Sequence, residues 1–232
     1  MRLERLARLV SSRKIILFVV EGITDEESLG LILSRLLNKR QVRFRIVGCD
    51  VTSDKQVGPQ NIKEKIYDQV SIFCRRNYIN PTDIVKVIHL TDTDGTYVDE
   101  KYISEKAVEK YQYSCEGIYA KSVEEVLKRN QKKALNINCL YSCNSINKIS
   151  YKMYYMSCNL EHVLHDIMNV PNEDKMDLAR EFSKKFDGRE RDFITFISDT
   201  NIAVPGDYRN TWEFIKTENN SLKRYSNFHL FF

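Results

Sequence analysis

The sequence is poor in residues that interrupt a chain: its 232 residues include only 8 Gly and 4 Pro. That excludes collagen-like, linker-rich and low-complexity architectures. Neither sign of charge is in large excess, since 36 Lys and Arg against 32 Asp and Glu leave +4. This is too mild to mark a nucleic-acid binder by itself and too balanced for a disordered chain. No apolar run nears the roughly 18 residues of a membrane span. The longest, Ile15 to Val20, lies between Arg13-Lys14 and Glu21 and is also too short for a signal-peptide core. The six cysteines (Cys49, Cys74, Cys115, Cys139, Cys143 and Cys158) form no Cys-x-x-Cys pair and no zinc-ligand rhythm. They read as free thiols of a cytoplasmic protein, most of them small core residues. A zinc site on Cys139, Cys143 and a histidine is the minor alternative.

What is present is a strand and helix rhythm over the first hundred residues. Leu3, Leu6, Leu9 and Val10 predict a short amphipathic helix or a frayed arm. Ile15 to Val20 is a continuous apolar, β-branched run, as expected of a strand buried on both faces. Asp25 opens a helix marked by Leu29, Ile32, Leu33, Leu36 and Leu37. A second strand, Val42 to Val47, ends at Gly48; Ile62, Ile66, Val70 and Phe73 mark a second helix. Pro81 precedes a third strand, Ile84 to Leu90. Alternating strands and helices predict an α/β fold, a mostly parallel sheet with flanking crossover helices. After Gly95 the rhythm is lost until a fourth strand at Tyr151 to Ser157 and a helix at Leu160 to Met168. Residues 96–150 therefore read as an insertion in a domain spanning 14–168. Residues 169–232 read as a helical C-terminal extension with an aromatic tail.

Two strand ends finish in carboxylates. Glu21 follows the first apolar run, with Gly22 in the turn and Asp25 at the helix start; Asp92 and Asp94 lie past the third strand. Loops at the carboxyl ends of parallel strands share one crevice, so both clusters converge on one rim. In an extended chain Asp92 and Asp94 point the same way. Carboxylates gathered there repel unless a divalent cation neutralises them, and oxygen-only ligands favour Mg²⁺ or Mn²⁺ over zinc. Asp25 alone reads more simply as a helix cap, and Asp-Thr-Asp-Gly as a turn. Neither explains Glu21, a charge closing a fully apolar strand.

At these residues the sequence resembles the TOPRIM domain family, in which Glu-Gly follows the first strand and Asp-x-Asp the third. Glu21-Gly22 with Asp25 resembles the form in OLD-like and RloB-like phage-defence nucleases, and Asp92 and Asp94 match the Asp-x-Asp. Glu161 stands where such members carry a further acidic residue after the fourth strand. The resemblance covers roughly 14–168, without the insertion. It implies a Rossmann-like sheet and a Mg²⁺- or Mn²⁺-dependent endonuclease acting on DNA or RNA, tRNA included. Glu21, Asp92 and Asp94 would be catalytic, and Glu21, Asp25, Asp92, Asp94 and Glu161 metal-binding, with Glu21 an alternative general base. No Gly-x-x-x-x-Gly-Lys-Ser/Thr motif is present, so an ATPase would be a separate subunit; a homo-oligomer is also compatible, and no membrane is implied.

The same residues support a rival. DTDGTYVDE also resembles the first motif of haloacid-dehalogenase-type phosphatases, with Asp92 as nucleophile and Asp94 as acid/base. That motif usually ends a first strand, whereas two strands precede it here, and Glu21 would have no role. A third possibility is a non-catalytic sensor subunit beside an ATPase. The basic stretch with Lys128, Arg129, Lys132, Lys133, Lys148 and Lys152 is the candidate nucleic-acid surface, against the plainer alternative of a solvated helix face. Lys148, Lys152 and Lys223 are candidates to stabilise the leaving group. His162 and His165 read more simply as packing residues than as a metal pair, and His89 as a buried, hydrogen-bonded core residue. The tail aromatics from Trp212 to Phe232 read as core closure before a partner surface.

Overall fold

The computed structural model describes residues 14–37 and 41–232. The expected N-terminal amphipathic segment lies outside them. β1 (Ile15–Val20) is buried along its whole length, because its alternate side chains feed two cores. Ile15, Leu17 and Val19 enter one hydrophobic cluster, and Ile16, Phe18 and Val20 enter the other. It lies inside a five-stranded sheet of order β2-β1-β3-β8-β7. β2 (Gln41–Ile46), β1, β3 (Ile84–Asp92) and β8 (Ile149–Met156) run parallel. The short β7 (Ser145–Ile146) closes the edge in antiparallel sense. The arrangement is α/β with a mostly parallel sheet and is compatible with a Rossmann-like fold.

Helices cover both faces, as an all-apolar parallel strand requires. One core collects α2 (Ile62–Arg76), α3 (Val123–Tyr141) and α7 (Tyr208–Ile215), through Ile66, Val70, Ile137, Leu140 and Trp212. The other collects α1 (Ile23–Leu36), α4 (Leu160–His165), α5 (Asn172–Lys185) and α6 (Glu190–Ile197), through Leu29, Ile32, Val163, Phe182 and Phe193. Among the described residues no helix is long and apolar enough to cross a membrane. α1 starts two residues before Asp25, because Gly22 is the cap and Asp25 reaches back to its N–H.

The largest departure from the sequence reading lies in 96–150. Only its first part is an insertion: a three-stranded sheet of β4 (Ile103–Glu105), β5 (Gln112–Ser114) and β6 (Gly117–Ala120), in order β4-β6-β5. The rest holds α3, the crossover helix between β3 and β8. Its buried positions, Val126, Asn130, Lys133, Asn136, Ile137 and Leu140, have helical spacing, but three of them are polar. That interrupts the apolar pattern by which a core helix is recognised.

The tail aromatics close the core, with Trp212 and Phe228 fully buried. The segment 220–228 returns beside the end of β8, where Tyr225 and Ser221 carbonyls accept from the Ser157 and Cys158 N–H groups. Asn227, also fully buried, accepts from the Tyr155 N–H at 2.9 Å and donates to Thr211. Truncating it strands a buried backbone donor. Asn227→Ala should therefore lower stability by about 1–3 kcal/mol, read as a lower urea midpoint at unchanged m-value.

Candidate functional site

β1 and β3 are neighbours, and β2 lies on the other side of β1, so the chain order switches at β1. Their carboxyl ends open the crevice expected at such a switch point. Glu21 stands there directly after β1 and Asp92 is the last residue of β3. The Glu21 Oε1 accepts from the Asp92 N–H and from Thr91 Oγ1, both at 3.2 Å. The two strand-end motifs separated by seventy residues are thus joined directly.

Past Asp92 the backbone does not stay extended. Asp94 and Gly95 are both left-handed, with φ of 49° and 66°, a region that Asp tolerates better than most residues. At Gly95 a Cβ would come within 2.8 Å of Leu222 and Ile118 side-chain atoms, so only glycine fits. The turn is fastened by α3. Arg129 donates to the Asp94 carbonyl at 2.8 Å, Asn130 to the Gly95 carbonyl at 3.2 Å. Lys133 Nζ reaches the Asp94 carboxylate at 2.5 Å and Asp50 at 2.7 Å. Extended-chain alternation therefore does not apply at Asp94, whose carboxylate is taken by Lys133, although Asp92 and Asp94 line one groove. Asp50, from the loop after β2, was missed; the rule that strand-end carboxylates face the crevice would have found it.

The rim is unevenly charged. Burial, then repulsion from Asp50, Asp94 and Asp25, pushes Glu21 well above the usual carboxylate range, with Lys133 opposing. Asp92 is pushed the same way by burial and by Glu21, Asp94, Asp25 and Glu161. Burial, with Glu161 adding to it, raises Asp25 to about 6, although the Gly22 N–H favours its charged form. Asp50 moves oppositely: burial opposes ionisation, but Lys133 and the Thr52 and Ser53 hydrogen bonds hold it below its ordinary value. The Lys133 ammonium is itself held well above its usual range by Asp50, Asp94 and Glu21, against its burial.

The five-carboxylate metal set is not assembled. Among the described residues no group of three or more His, Cys, Asp or Glu side chains is arranged to hold a metal ion. Each absentee has another partner: Asp94 has Lys133, Asp25 accepts from Gly22 N–H at 3.0 Å, and the buried Glu161 pairs with Lys175 at 3.0 Å. Glu21 and Asp92 form no direct ion pair among the described residues, although Lys133 acts on Glu21 and Lys175 on Asp92 from farther away. These oxygen donors fit Mg²⁺ or Mn²⁺ in type and charge, and loading needs carboxylates drawn off their present partners.

A groove of about 760 Å³ is lined by Asp92, Asp94, Lys175 and two stretches, 107–113 and 168–173. Asn169 ties the two walls, accepting from the Tyr113 N–H at 2.8 Å and donating to its carbonyl at 2.7 Å. A larger groove of about 890 Å³ borders β2 and holds none of these rim carboxylates.

The basic stretch does not form one surface. Lys133 is fully buried, and Arg129 turns inward to Tyr113 and the Asp94 carbonyl, so neither tracks a phosphate chain from solvent. Exposed Lys128 pairs with Glu124 at 2.6 Å, and Lys132 donates to the Lys55 carbonyl. Lys152 lies over the Tyr208 ring and pairs in register with Ile88, four residues short of Asp92. Lys148 precedes β8, at the opposite end of the sheet from the rim. Strand geometry thus removes Lys148 and Lys152 as groups for the leaving oxygen, and Lys223 sits by Asn220 Oδ1 at 3.4 Å. Lys175, missed in the sequence, takes a place in the groove. His89 is buried against the Tyr151 hydroxyl at 2.8 Å, held down to about 4 by burial. His162 faces Asp166, and His165 packs edge-on to Phe182.

The fold and rim define the class, an α/β protein with acidic strand ends at a switch point. No family model, curated protein or solved structure matches the chain.

Asp25 gives a test of the charge imbalance. A carboxyl raised in the folded state contributes most below its unfolded value, near 4, and loses that contribution as pH rises through about 6. In EDTA, Asp25→Asn should match the wild type at pH 3.5. At pH 8 it should melt higher by on the order of 3 °C, the shift for about 1 kcal/mol in a domain this size.

Proposed function

We propose that this chain is a TOPRIM-like, Mg²⁺- or Mn²⁺-dependent endonuclease acting on DNA or RNA. The observation that carries this is the hydrogen bond from the Asp92 backbone N–H to the Glu21 carboxylate at the switch point, which sets two buried carboxyl groups close enough for each to be pushed above its usual range. A phosphatase built on Asp92 leaves that arrangement without a purpose. Glu21 and Asp92 would hold the ion. When bound, it would supply charge neutralisation at the scissile phosphate and a more acidic attacking water. Lys175, which lines the groove, would meet a phosphate oxygen or the leaving group. The walls at Ala107–Tyr113 and Met168–Glu173 would orient the strand, and Glu161 would hold Lys175 in position.

The test is incubation of the purified protein with plasmid DNA, single-stranded DNA and tRNA in Mn²⁺ or in EDTA. Cleavage should require Mn²⁺ and fall by about 100-fold or more in Glu21→Gln and Asp92→Asn. Hydrolysis of a small phosphate ester that survives Glu21→Gln would replace this reading with the phosphatase. Mn²⁺ binding without cleavage of any substrate would leave a sensor subunit.

Glu161→Gln should keep the melting temperature and lose about 10- to 100-fold in cleavage, the range for groups that orient a metal centre from behind. Wild-type rates in saturating Mn²⁺ would remove Glu161 from the site.

A further inference from the structure

β2 is the outermost strand of the five-stranded sheet and pairs with β1, so among the described residues its other edge carries no strand. The groove of about 890 Å³ is lined by Val42, Arg43, Phe44, Arg45 and Ile46 of that strand. The pleat sorts their chemistry. Val42 is buried in the core beneath α1, and Phe44 and Ile46 pack against it. Arg43 and Arg45 alternate with them on the α2 face, where Arg45 donates to Gln69 at 2.8 Å and Arg76 lines the same groove. None of these three arginines pairs with a carboxylate among the described residues. Arg43 donates to the neighbouring Val42 carbonyl at 2.8 Å, and burial together with repulsion from Arg76 holds Arg45 below its usual range. Glu26 and Glu27 line the groove from α1, on the opposite face of the strand. Tyr78 follows Asn77, another lining residue, and is left-handed with φ of 52° and 99% exposed. That conformation is costly for a bulky side chain and after a helix is usually left to glycine. At such exposure the tyrosine gains no packing in return.

We propose that the β2 edge is a docking site for an extended acidic segment of a partner protein, added to the sheet as a further strand in which acidic and apolar residues alternate. Main-chain N–H and C=O groups along an open sheet edge supply the pairing. An added strand continues the pleat. One set of its alternate side chains then meets Phe44 and the exposed Leu31 of α1, and the other set meets Arg43, Arg45 and Arg76. Tyr78 stands beside the groove as an aromatic anchor. A second copy of this chain fits less well, because antiparallel pairing of two β2 edges sets Arg43 and Arg45 against the arginines of the other copy. A phosphate chain would engage the arginines and leave the open edge and the apolar row unused. The site is independent of any reaction at the rim.

The experiment is calorimetric titration of the full chain with capped heptapeptides that alternate valine with glutamate or valine with lysine. The glutamate peptide should bind and the lysine peptide should not. N-methylation of one set of alternate amides in the glutamate peptide should abolish binding, and methylation of the other set should leave it, as a strand bonded along a single edge requires. Arg43→Glu combined with Arg76→Glu, both at exposed positions, should weaken the glutamate peptide by at least about tenfold and take up the lysine peptide. Tyr78→Gly should weaken it without lowering the melting temperature; unchanged binding would remove the tyrosine from the site. No binding at millimolar peptide, equal binding of the two peptides, or indifference to both methylations would overturn the proposal. So would an oligonucleotide that binds the wild type and is lost in the double arginine variant, which would make the groove a nucleic-acid surface. A wild-type dimer in sedimentation that Arg43→Glu dissociates would give the edge to a second copy and overturn it as well.

Discussion

A primary ammonium with no exposed surface needs anionic partners, and Lys133 has two, supplied by the loops after β2 and β3. Because those loops belong to strands on opposite sides of β1, the contact ties three parts of the fold together through the crossover helix. Removing one partner of such a buried pair typically costs about 3–5 kcal/mol. The turn at Asp94 and Gly95 depends on it: two successive left-handed residues are held by donors one turn earlier on the same helix. The polar stripe of α3 is thus the imprint of the loop it grips.

The same contact divides the rim electrostatically. On the Lys133 side, Asp50 is kept ionised below its ordinary range. On the β1–β3 side, Glu21 and Asp92 are pushed upward by burial and by each other. Neighbouring carboxyl groups pulled apart in this way are the electrostatic pattern on which the proposed site rests. Lys133 also draws Glu21 down, but burial and the neighbouring carboxylates outweigh it. The two halves differ in degree, one held by direct ion pairs and the other without one.

Much of this was legible in the sequence. β1 was read to the residue, because six consecutive apolar residues flanked by charges allow little else. Glu21 and Asp92 were found by asking which strand ends break into charge. Asp50 escapes because it lies two residues past Gly48, where the second strand is read to end, although the same rule applies. α3 escaped because Asn130, Lys133 and Asn136 occupy core positions, and a periodicity argument assumes that core positions are apolar. Lys133 was counted with its neighbours as surface charge; only packing shows that it points inward. Lys175 gave no signal, since a lysine in the first turn of a helix is ordinary until Glu161 is seen beside it.

The site is also non-local to an unusual degree. Glu21, Asp50, Asp92, Lys133 and Glu161 come from five separated stretches, and a sixth supports them from below. Ser221 accepts from Thr93 Oγ1 and from the Cys158 N–H, and its own hydroxyl accepts from the Tyr97 N–H. Leu222 fills the space that only glycine at position 95 leaves open. No subset of consecutive elements can form the rim, because each loop is held by a segment far away in the chain. Contacts of such long sequence separation form late and cooperatively. The loops that carry the carboxylates are therefore held by both cores and by the 220–228 segment. Repulsion at the rim is then borne by the whole packed sheet rather than by the loops that carry the charges.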